Sequence, residues 1–203
     1  MPHRAAPVAR PGKLEDRVKI LIDCGAYTGD SLPVLIDRHG PFERIICFEA
    51  NPGLRLLPPP DLRIPVELHQ VAVWTAAGEQ RLFFGEHAEG SSLLANKTSG
   101  NLSPARSALV PTIDFAAWLE QHTGPGDRLT IKMDIEGAEF AVLPRLARHP
   151  VRRRIARLWV EWHHNRLHPA WRYRLQRRLL ELRYLLAGHP IGNWRRKTMG
   201  LAR

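Results

Sequence analysis

Short apolar runs alternate along the chain with longer segments in which apolar side chains recur every three or four positions. The short runs predict strands at residues 18–23, 44–49, 66–74, 80–84, 130–134 and 155–162. The longer segments predict helices at residues 30–39, 114–122, 137–148 and 169–187, with a further short helix that starts at Asn51 and ends before the three prolines at 58–60. Strands that alternate with helices predict an α/β fold with a mainly parallel sheet covered by helices on both faces.

Four local features complete this prediction. The runs at 66–74 and 80–84 are expected to pair as a hairpin around Ala77 and Gly78, and a long polar loop follows at residues 86–107. Residues 188–203 are expected to close the sheet as a C-terminal antiparallel hairpin. Helix 169–187 is expected to bury one apolar stripe against the core and to leave most of its arginines outside. The stripe consists of Trp171, Leu175, Leu179, Leu182 and Leu186.

Length and composition favour one globular unit. The 203 residues are enough for a single domain with a core of its own, which we place at residues 14–203 after a flexible basic leader at residues 1–13. The leader lacks the apolar stretch of a secretory signal, and no run is long enough to span a membrane. Cys24 and Cys47 fall within strand-like runs, where small buried side chains are the usual occupants, so a reducing cytoplasm is expected.

The formal net charge of +10 is unevenly distributed. Residues 145–203 carry a net +14 and residues 1–144 a net −4. The basic last third could attract nucleic acid, an anionic membrane face or a phosphate-bearing substrate, or could consist only of solvated helix faces. A cytoplasmic location, with peripheral contact at the inner membrane face as a further option, fits this charge.

Polar residues gather where the predicted strands end. They are Asp23, Glu49, Asp134 with Glu136, and Glu161 with His163 and His164. In a doubly wound sheet, ligands bind beyond the carboxyl ends of the strands near the switch in strand order. These residues are therefore the candidate site.

The loop after the first strand limits the choice of ligand. Gly25 and Gly29 permit close approach and unusual backbone angles, but the spacing lacks the full G-x-G-x-x-G pattern of dinucleotide binders. Asp23 would repel a diphosphate and tolerate a cationic ligand, of which S-adenosylmethionine is an example. Glu49 ends the second strand, where an acid commonly holds ribose hydroxyls. A nicotinamide enzyme is thus disfavoured, and a nucleoside ligand is favoured.

Four stretches, "IDCGAYTGDS", "CFEANP", "VPTIDFAAWL" and "IKMDIEGAEFAVL", together resemble the successive motifs of the FkbM-like family of S-adenosylmethionine-dependent methyltransferases. The resemblance extends over residues 18–146 and is most specific at "MDIEGAE". It implies a Rossmann-like class I methyltransferase fold and methyl transfer to a hydroxyl of a sugar or other natural product. The chain departs from the family pattern at Tyr27, where asparagine is usual, and at Ala50, where proline is usual.

The resemblance also implies roles for individual positions. The methionine-side loop would comprise Asp23, Gly25, Ala26, Tyr27 and Gly29. Glu49 would anchor the ribose, Val71 and Ala72 would border the adenine, and Asp134 would face the reacting centre. We predict acceptor contacts from the following polar residues: Ser91, Ser92, Glu136, His163 and His164.

Methyl transfer needs an aligned acceptor oxygen and one base to take its proton. Asp134 and His163 are the predicted catalytic residues, with His163 as the titratable base and Asp134 as orienting group or base. No histidine or cysteine spacing supports a metal site, so no metal is expected. The predicted partner is a small-molecule or glycan acceptor, and the basic last third suggests that it is anionic. An RNA methyltransferase, or a basic nucleic-acid-binding protein on the same fold, is the alternative.

Overall fold

The computed structural model of the protein describes residues 17–195. Its helices are α1 (Leu32–His39), α2 (Phe115–His122), α3 (Glu139–Arg148) and α4 (Ala170–Leu186). Its strands are β1 (Lys19–Cys24), β2 (Arg44–Phe48), β3 (Val66–His69), β4 (Ala72–Trp74), β5 (Gly78–Phe83), β6 (Ser107–Asp114), β7 (Arg128–Met133), β8 (Ile155–Val160) and β9 (Ile191–Asn193). The leader expected at residues 1–13 lies outside the described residues, and the assignment of residues 14–203 to one domain stays a prediction.

The central sheet has six strands in the order β3-β2-β1-β7-β8-β9, and every neighbouring pair is parallel. Side chains of β1 alternate between its faces: Ile20 and Ile22 pack with α2, α3 and α4, whereas Leu21 packs with α1. Helices therefore cover both faces, as the alternation of strands and helices predicted. The strand order reverses direction beside β1, where β2 lies on one side and β7 on the other.

The predicted hairpin of residues 66–74 and 80–84 is wrong. Residues 66–74 form two strands in different sheets, since β3 extends the central sheet and β4 belongs to a three-stranded sheet of order β4-β6-β5. β4 and β5 do not form the expected hairpin, because β6 lies between them, parallel to β4 and antiparallel to β5. Pro111 in β6 explains the error: it cannot donate a backbone hydrogen bond, and such a residue in a central strand argues against strand structure.

No helix forms after Asn51. Its side-chain oxygen instead accepts the backbone N–H of Gly53 at 2.9 Å, which closes a local turn. A side chain that bonds its own backbone in this way competes with helix formation.

The expected C-terminal antiparallel hairpin is also wrong for the described residues. β9 pairs with β8 in parallel, with Leu158 opposite Ile191 and Val160 opposite Asn193. α4 connects the two strands, and a helical crossover returns the chain to the same end of the sheet, so the next strand runs parallel. Residues 196–203 of the predicted hairpin lie outside the described residues.

The face that α4 turns to the core differs from the predicted stripe. Leu180 and Tyr184 are the buried residues of this helix, and all five residues of the predicted stripe are exposed. Two polar contacts fix this orientation: the Tyr184 hydroxyl donates to the Leu143 carbonyl at 3.0 Å, and the Gln176 amide donates to the Phe140 carbonyl at 2.7 Å. The exposed stripe has more apolar residues than the buried face, which is why the sequence pattern predicted the wrong face.

Candidate active site

A cavity of about 1020 Å³ opens beyond the carboxyl ends of the central strands, where the strand order reverses. Open parallel sheets bind ligands at this position. The cavity is lined by nine of the predicted site residues: Gly25, Tyr27, Glu49, Val71, Ala72, Ser91, Ser92, Asp134 and Glu136. Its volume is at the upper end of the range of about 300–1,000 Å³ that is usual for small-molecule sites.

Gly25 is required by a contact within the protein. Its φ is +75°, and a Cβ at this position would lie 1.9 Å from the carbonyl oxygen of Asp134. The backbone N–H groups of Gly25 and Ala26 both donate to the Phe48 carbonyl, at 2.9 and 3.0 Å. The loop after β1 is thus clamped between the ends of β2 and β7, and close packing of backbone explains the glycine without a ligand.

Three residues of the predicted cofactor loop lie behind the cavity wall. Ala26 is fully buried among the side chains under α1, and Gly29, with φ +89°, packs beside Leu56. Asp23 is fully buried and accepts from the Ser31 hydroxyl. These residues shape the loop from behind, whereas Gly25 and Tyr27 face the cavity.

Glu49 reaches the cavity with both carboxylate oxygens held by backbone. One oxygen accepts the N–H of Tyr27 at 2.8 Å and the other accepts the N–H of Asn51 at 2.8 Å. Burial raises the pKa of Glu49, against the lowering effect of these two hydrogen bonds. A carboxylate offers about four acceptor positions, so Glu49 keeps capacity for ligand hydroxyls. Tyr27 has φ +52°, a conformation that asparagine adopts more easily than tyrosine.

Lys132 is a buried residue near the end of β7, and its side chain contacts the end of β1. Its ammonium group lies 3.0 Å from Asp23 and 3.8 Å from Asp134, and it donates to the Gly25 carbonyl at 2.8 Å. Burial would lower the pKa of Lys132, but the charges of Asp23 and Asp134 raise it. Lys132 is therefore a fixed buried cation behind Asp134.

His163 is 1% exposed and is surrounded by carboxylates. Its Nδ1 lies 2.8 Å from Glu139, and its Nε2 lies 3.4 Å from Glu136 and 3.6 Å from Asp134. Burial would lower the pKa of His163, but the charge of Glu139 and hydrogen bonds with Glu136 and Glu139 raise it well above its usual range. A protonated imidazole cannot accept a proton, so this geometry favours a positioning role for His163.

Glu136 is the most strongly paired acid of the site. Lys97, itself almost fully buried, lies 2.8 Å away, and Arg166 lies 3.3 Å away. Burial would raise the pKa of Glu136, but the hydrogen bond and charge of His163, together with the charge of Lys97, lower it to about 2. The Ser92 hydroxyl donates to the Glu136 carbonyl at 2.7 Å and fixes the loop that carries both predicted serines. Glu136 is thus a permanent anion in the cavity wall.

Glu161 follows β8 and lines the cavity. Burial and the charge of Asp134 raise its pKa to about 7, and one of its buried carboxylate oxygens has no hydrogen-bond partner among the described residues. A carboxylate with a pKa near neutrality and a free acceptor position is suited to take a proton.

The Methyltransferase FkbM domain model matches residues 23–185. The chain belongs to the FkbM methyltransferase family. No curated protein and no solved structure matches the chain. The match runs from the end of β1 into α4 and so includes every strand that borders the cavity except the last, β9. The Rossmann-like fold expected from the sequence agrees with this family and with the observed sheet.

Several residues that shape the FkbM site were given no role from the sequence. The sequence marks Glu161 only as a strand-end acid, and it favours the nearby His163 as the base because histidine ordinarily titrates near neutrality. Lys97 lies in the polar loop and Glu139 at the start of α3, so neither position suggests a buried ion pair. Alternating apolar positions place Lys132 in a core strand, but only the structure shows the two acids that pair with it.

His164, like His163, is not one of the residues that line the FkbM cavity. It begins a short 3-10 helix, His164–Arg166, that leads towards α4. Burial and the charges of Arg177 and Arg174 lower the pKa of His164. Its predicted contact with the acceptor therefore has no support from its position.

Asp134, Glu136 and His163 each offer one ligand atom within 4.8 Å of the others, which is the geometry of a small divalent-cation site. The same groups already face cations: Lys97 and Arg166 contact Glu136, and Lys132 is near Asp134. The expectation that this FkbM methyltransferase needs no metal stays a prediction.

Proposed function

We propose that the protein is an S-adenosylmethionine-dependent O-methyltransferase that acts in the cytoplasm on a hydroxyl of a sugar, glycan or other small natural product. The observation that carries this proposal is that Glu49, which follows β2, and Asp134 and Glu161, which follow β7 and β8, line one cavity from opposite sides of β1 in the strand order. Bound S-adenosylmethionine supplies an activated methyl group, so the protein has only to align an acceptor and remove its proton.

The residues on the Glu49 side fit an adenosyl sulfonium ligand. Glu49 keeps free acceptor positions for the ribose hydroxyls, and the partly apolar wall formed by Phe48, Leu54 and Val71 suits an adenine ring. Asp134 lines the same cavity across β1, and its carboxylate would attract a sulfonium group. Tyr27 lines the cavity without filling it, which supports space for a nucleoside.

The opposite side fits an anionic acceptor. Arg166 and Arg177 line it, and Arg177 lies 5.4 Å from the ring centre of Trp162, which also faces the cavity. Guanidinium groups bind phosphate or carboxylate groups, and an aromatic ring packs against the apolar face of a sugar. Ser91 borders the same space, whereas the Ser92 hydroxyl holds the loop through the Glu136 carbonyl.

The chain's own groups divide the work of proton removal. Glu161 accepts the proton of the acceptor hydroxyl, because its pKa of about 7 leaves a usable basic fraction near neutrality. Asp134 orients that hydroxyl, while His163, held by Glu139, positions Asp134 and Glu136. We place the base at Glu161 because the surrounding carboxylates keep His163 protonated.

Thermal denaturation tests the cofactor. The full chain is melted with S-adenosylmethionine, with its demethylated product, and with NAD as the competing nucleotide. A ligand at 100 times its dissociation constant stabilises a folded protein by about 2.7 kcal/mol, which gives a measurable rise in Tm. We expect this rise with the first two ligands only. In Glu49→Ala the rise should be smaller, and the affinity for S-adenosylmethionine derived from it should be at least tenfold lower.

Glu79→Gln is the matched control, since Glu79 is an exposed acid of β5 outside the cavity. The Tm of this control should rise with S-adenosylmethionine as much as that of the parent. If the Tm of Glu49→Ala rises as much as that of the parent, the cofactor assignment is contradicted. Transfer of labelled methyl to panels of neutral sugars, phosphorylated sugars and RNA then tests the acceptor, and preferential labelling of RNA would favour the alternative substrate class.

A further inference from the structure

Helix α4 exposes an apolar stripe (Trp171, Leu175, Leu179, Leu182 and Leu186). These side chains are between 51% and 79% exposed, and Leu185 beside them is 59% exposed. At about 3.6 residues per turn, the five residues lie within an arc of about 80°, and the buried Leu180 points to the opposite side. The stripe is therefore the outward face of a helix whose inner face is already packed.

Arginines border the stripe along its whole length. Arg172 and Arg183 lie on one edge, and Arg174 and Arg178 lie on the other; all four are exposed. Glu181 is the acid of this helix; its side chain is 36% exposed, lies beyond Arg174 on the flank of the helix outside the stripe, and pairs with Arg177 at 2.8 Å. The outward face consequently combines apolar side chains with positive charge and carries no acid.

This combination determines the kind of surface that complements the stripe. A leucine-rich face bordered by arginines is typical of a helix that lies in the headgroup region of an anionic bilayer. A two-fold pair of chains that met through the stripe would bring the arginines of both copies together without a carboxylate between them, which costs free energy. Among the described residues, no helix has the length and apolar character needed to cross the bilayer.

We propose that α4 is a membrane-binding helix that lies flat on an anionic lipid surface. Its 17 residues span about 25 Å along that surface. The leucines enter the boundary between headgroups and acyl chains, the arginines contact the lipid phosphates, and Trp171 anchors the first turn in the interface. The lipid is recognised by its negative charge together with its apolar interior, so neither a free anion nor a neutral bilayer replaces it.

Co-sedimentation of the full chain with vesicles tests this proposal. Vesicles of phosphatidylcholine alone are compared with vesicles that contain about one third phosphatidylglycerol. We expect at least tenfold stronger binding to the anionic vesicles. The double variant Leu175→Ser/Leu179→Ser and the double variant Arg172→Gln/Arg178→Gln should each reduce that binding at least tenfold, with melting curves like that of the parent.

Leu57→Ser/Leu109→Ser and Arg63→Gln are matched controls, because these residues are exposed but lie outside α4. They should bind like the parent. Leu186→Ser, at the last residue of the helix, gives a second variant that still tests the stripe if the double leucine variant does not fold.

Three results would overturn the proposal. The first is equal binding of the parent to neutral and anionic vesicles, or no binding to either. The second is a dimer in solution that the leucine variant converts to monomer, which would assign the stripe to a second copy. The third is salt-sensitive binding to RNA without binding to anionic vesicles, which would assign the arginines to nucleic acid.

Discussion

At the scale of single residues, the site depends on acids whose environments set their protonation differently. Lys97 and His163 hold Glu136 as an anion, whereas burial and the charge of Asp134 raise the pKa of Glu161 to about 7. Neighbouring carboxylates with separated pKa values divide into a permanent charge and a proton acceptor. Two predictions belong to this scale.

Glu161→Gln should lower the rate of methyl transfer at least 100-fold at pH 8, because a positioned base commonly contributes about 10²- to 10⁴-fold. In the parent, the rate should rise with pH and level off above about 7, since Glu161 is active when deprotonated. The variant should lose this rise. Initial rates between pH 5 and pH 9 measure both effects.

His163→Asn is the informative comparison for this prediction. It should lower the rate through mispositioned acids while a rise with pH remains. If His163→Asn abolishes the rise and Glu161→Gln keeps it, the base is His163. Glu79→Gln should retain the parent profile.

Glu136→Gln should destabilise the fold at pH 7 by about 3 kcal/mol, because one pKa unit corresponds to about 1.4 kcal/mol. The pKa of Glu136 falls from its ordinary value of 4.5 to about 2 on folding. The stabilisation is therefore complete above pH 4.5 and disappears as pH falls towards 2. Denaturant unfolding of parent and variant at pH 7, 4 and 3 should show a difference that shrinks with falling pH.

Glu67→Gln is the control for that series, since Glu67 pairs with Arg44 at an exposed site on β3. An exposed pair contributes about 0–1 kcal/mol, so this variant should differ little from the parent at any of these pH values. A Glu136→Gln difference that stays constant from pH 7 to pH 3 would contradict the ion-pair explanation.

At the scale of elements, the loop after β1 is held against the end of β7 through backbone contact at Gly25. Gly25→Ala should destabilise the fold by at least about 2 kcal/mol more than Gly188→Ala. Both glycines have positive φ, +75° and +79°, but a Cβ at Gly25 meets the Asp134 carbonyl at 1.9 Å and a Cβ at Gly188 meets nothing within 4 Å. The loss of stability in Gly188→Ala thus measures the cost of a side chain at positive φ. The additional loss in Gly25→Ala measures the clash of the new Cβ with the Asp134 carbonyl.

Urea unfolding of both variants gives this comparison. Equal losses of stability in the two variants would mean that the loop relaxes away from β7. In that case the glycine would serve the backbone conformation alone.

The sequence predicted the elements of the central sheet because each has an unbroken periodic pattern. It failed where tertiary context overrides a local pattern. Pro111 made β6 look unlike a strand, and the Asn51 side chain forms a turn where a helix was predicted. In α4 the leucine repeat is exposed because Leu180 and Tyr184 on the opposite face pack against the core. Single-sequence periodicity identifies a face without showing what it meets.

At the scale of the whole molecule, the described part of the basic last third, residues 145–195, occupies one end of the central sheet and the helices beside it. β8 and β9 form one edge of the central sheet, and α4 packs beside α3 on one face of it. The basic residues of this part of the chain therefore lie near the strand ends that line the cavity, where Arg166 and Arg177 contribute to its wall.

The location of the candidate site could be predicted from the sequence because strand ends converge by topology. The pairings within it could not be predicted. Lys97 meets Glu136, and Glu139 meets His163, only after a polar loop and a helix fold over the strand ends. Such contacts between distant parts of the chain leave no periodic signal.

Lys132 has a consequence for how this protein can evolve. Its ammonium group neutralises two acids from different strands and holds a backbone carbonyl in a buried place. Replacing the lysine alone would leave two negative charges without their cation, one of them on the fully buried Asp23, and replacing Asp23 alone would leave the buried cation with Asp134 as its remaining acid. We therefore expect a substitution at any one of these three positions to be tolerated only when the other two change with it.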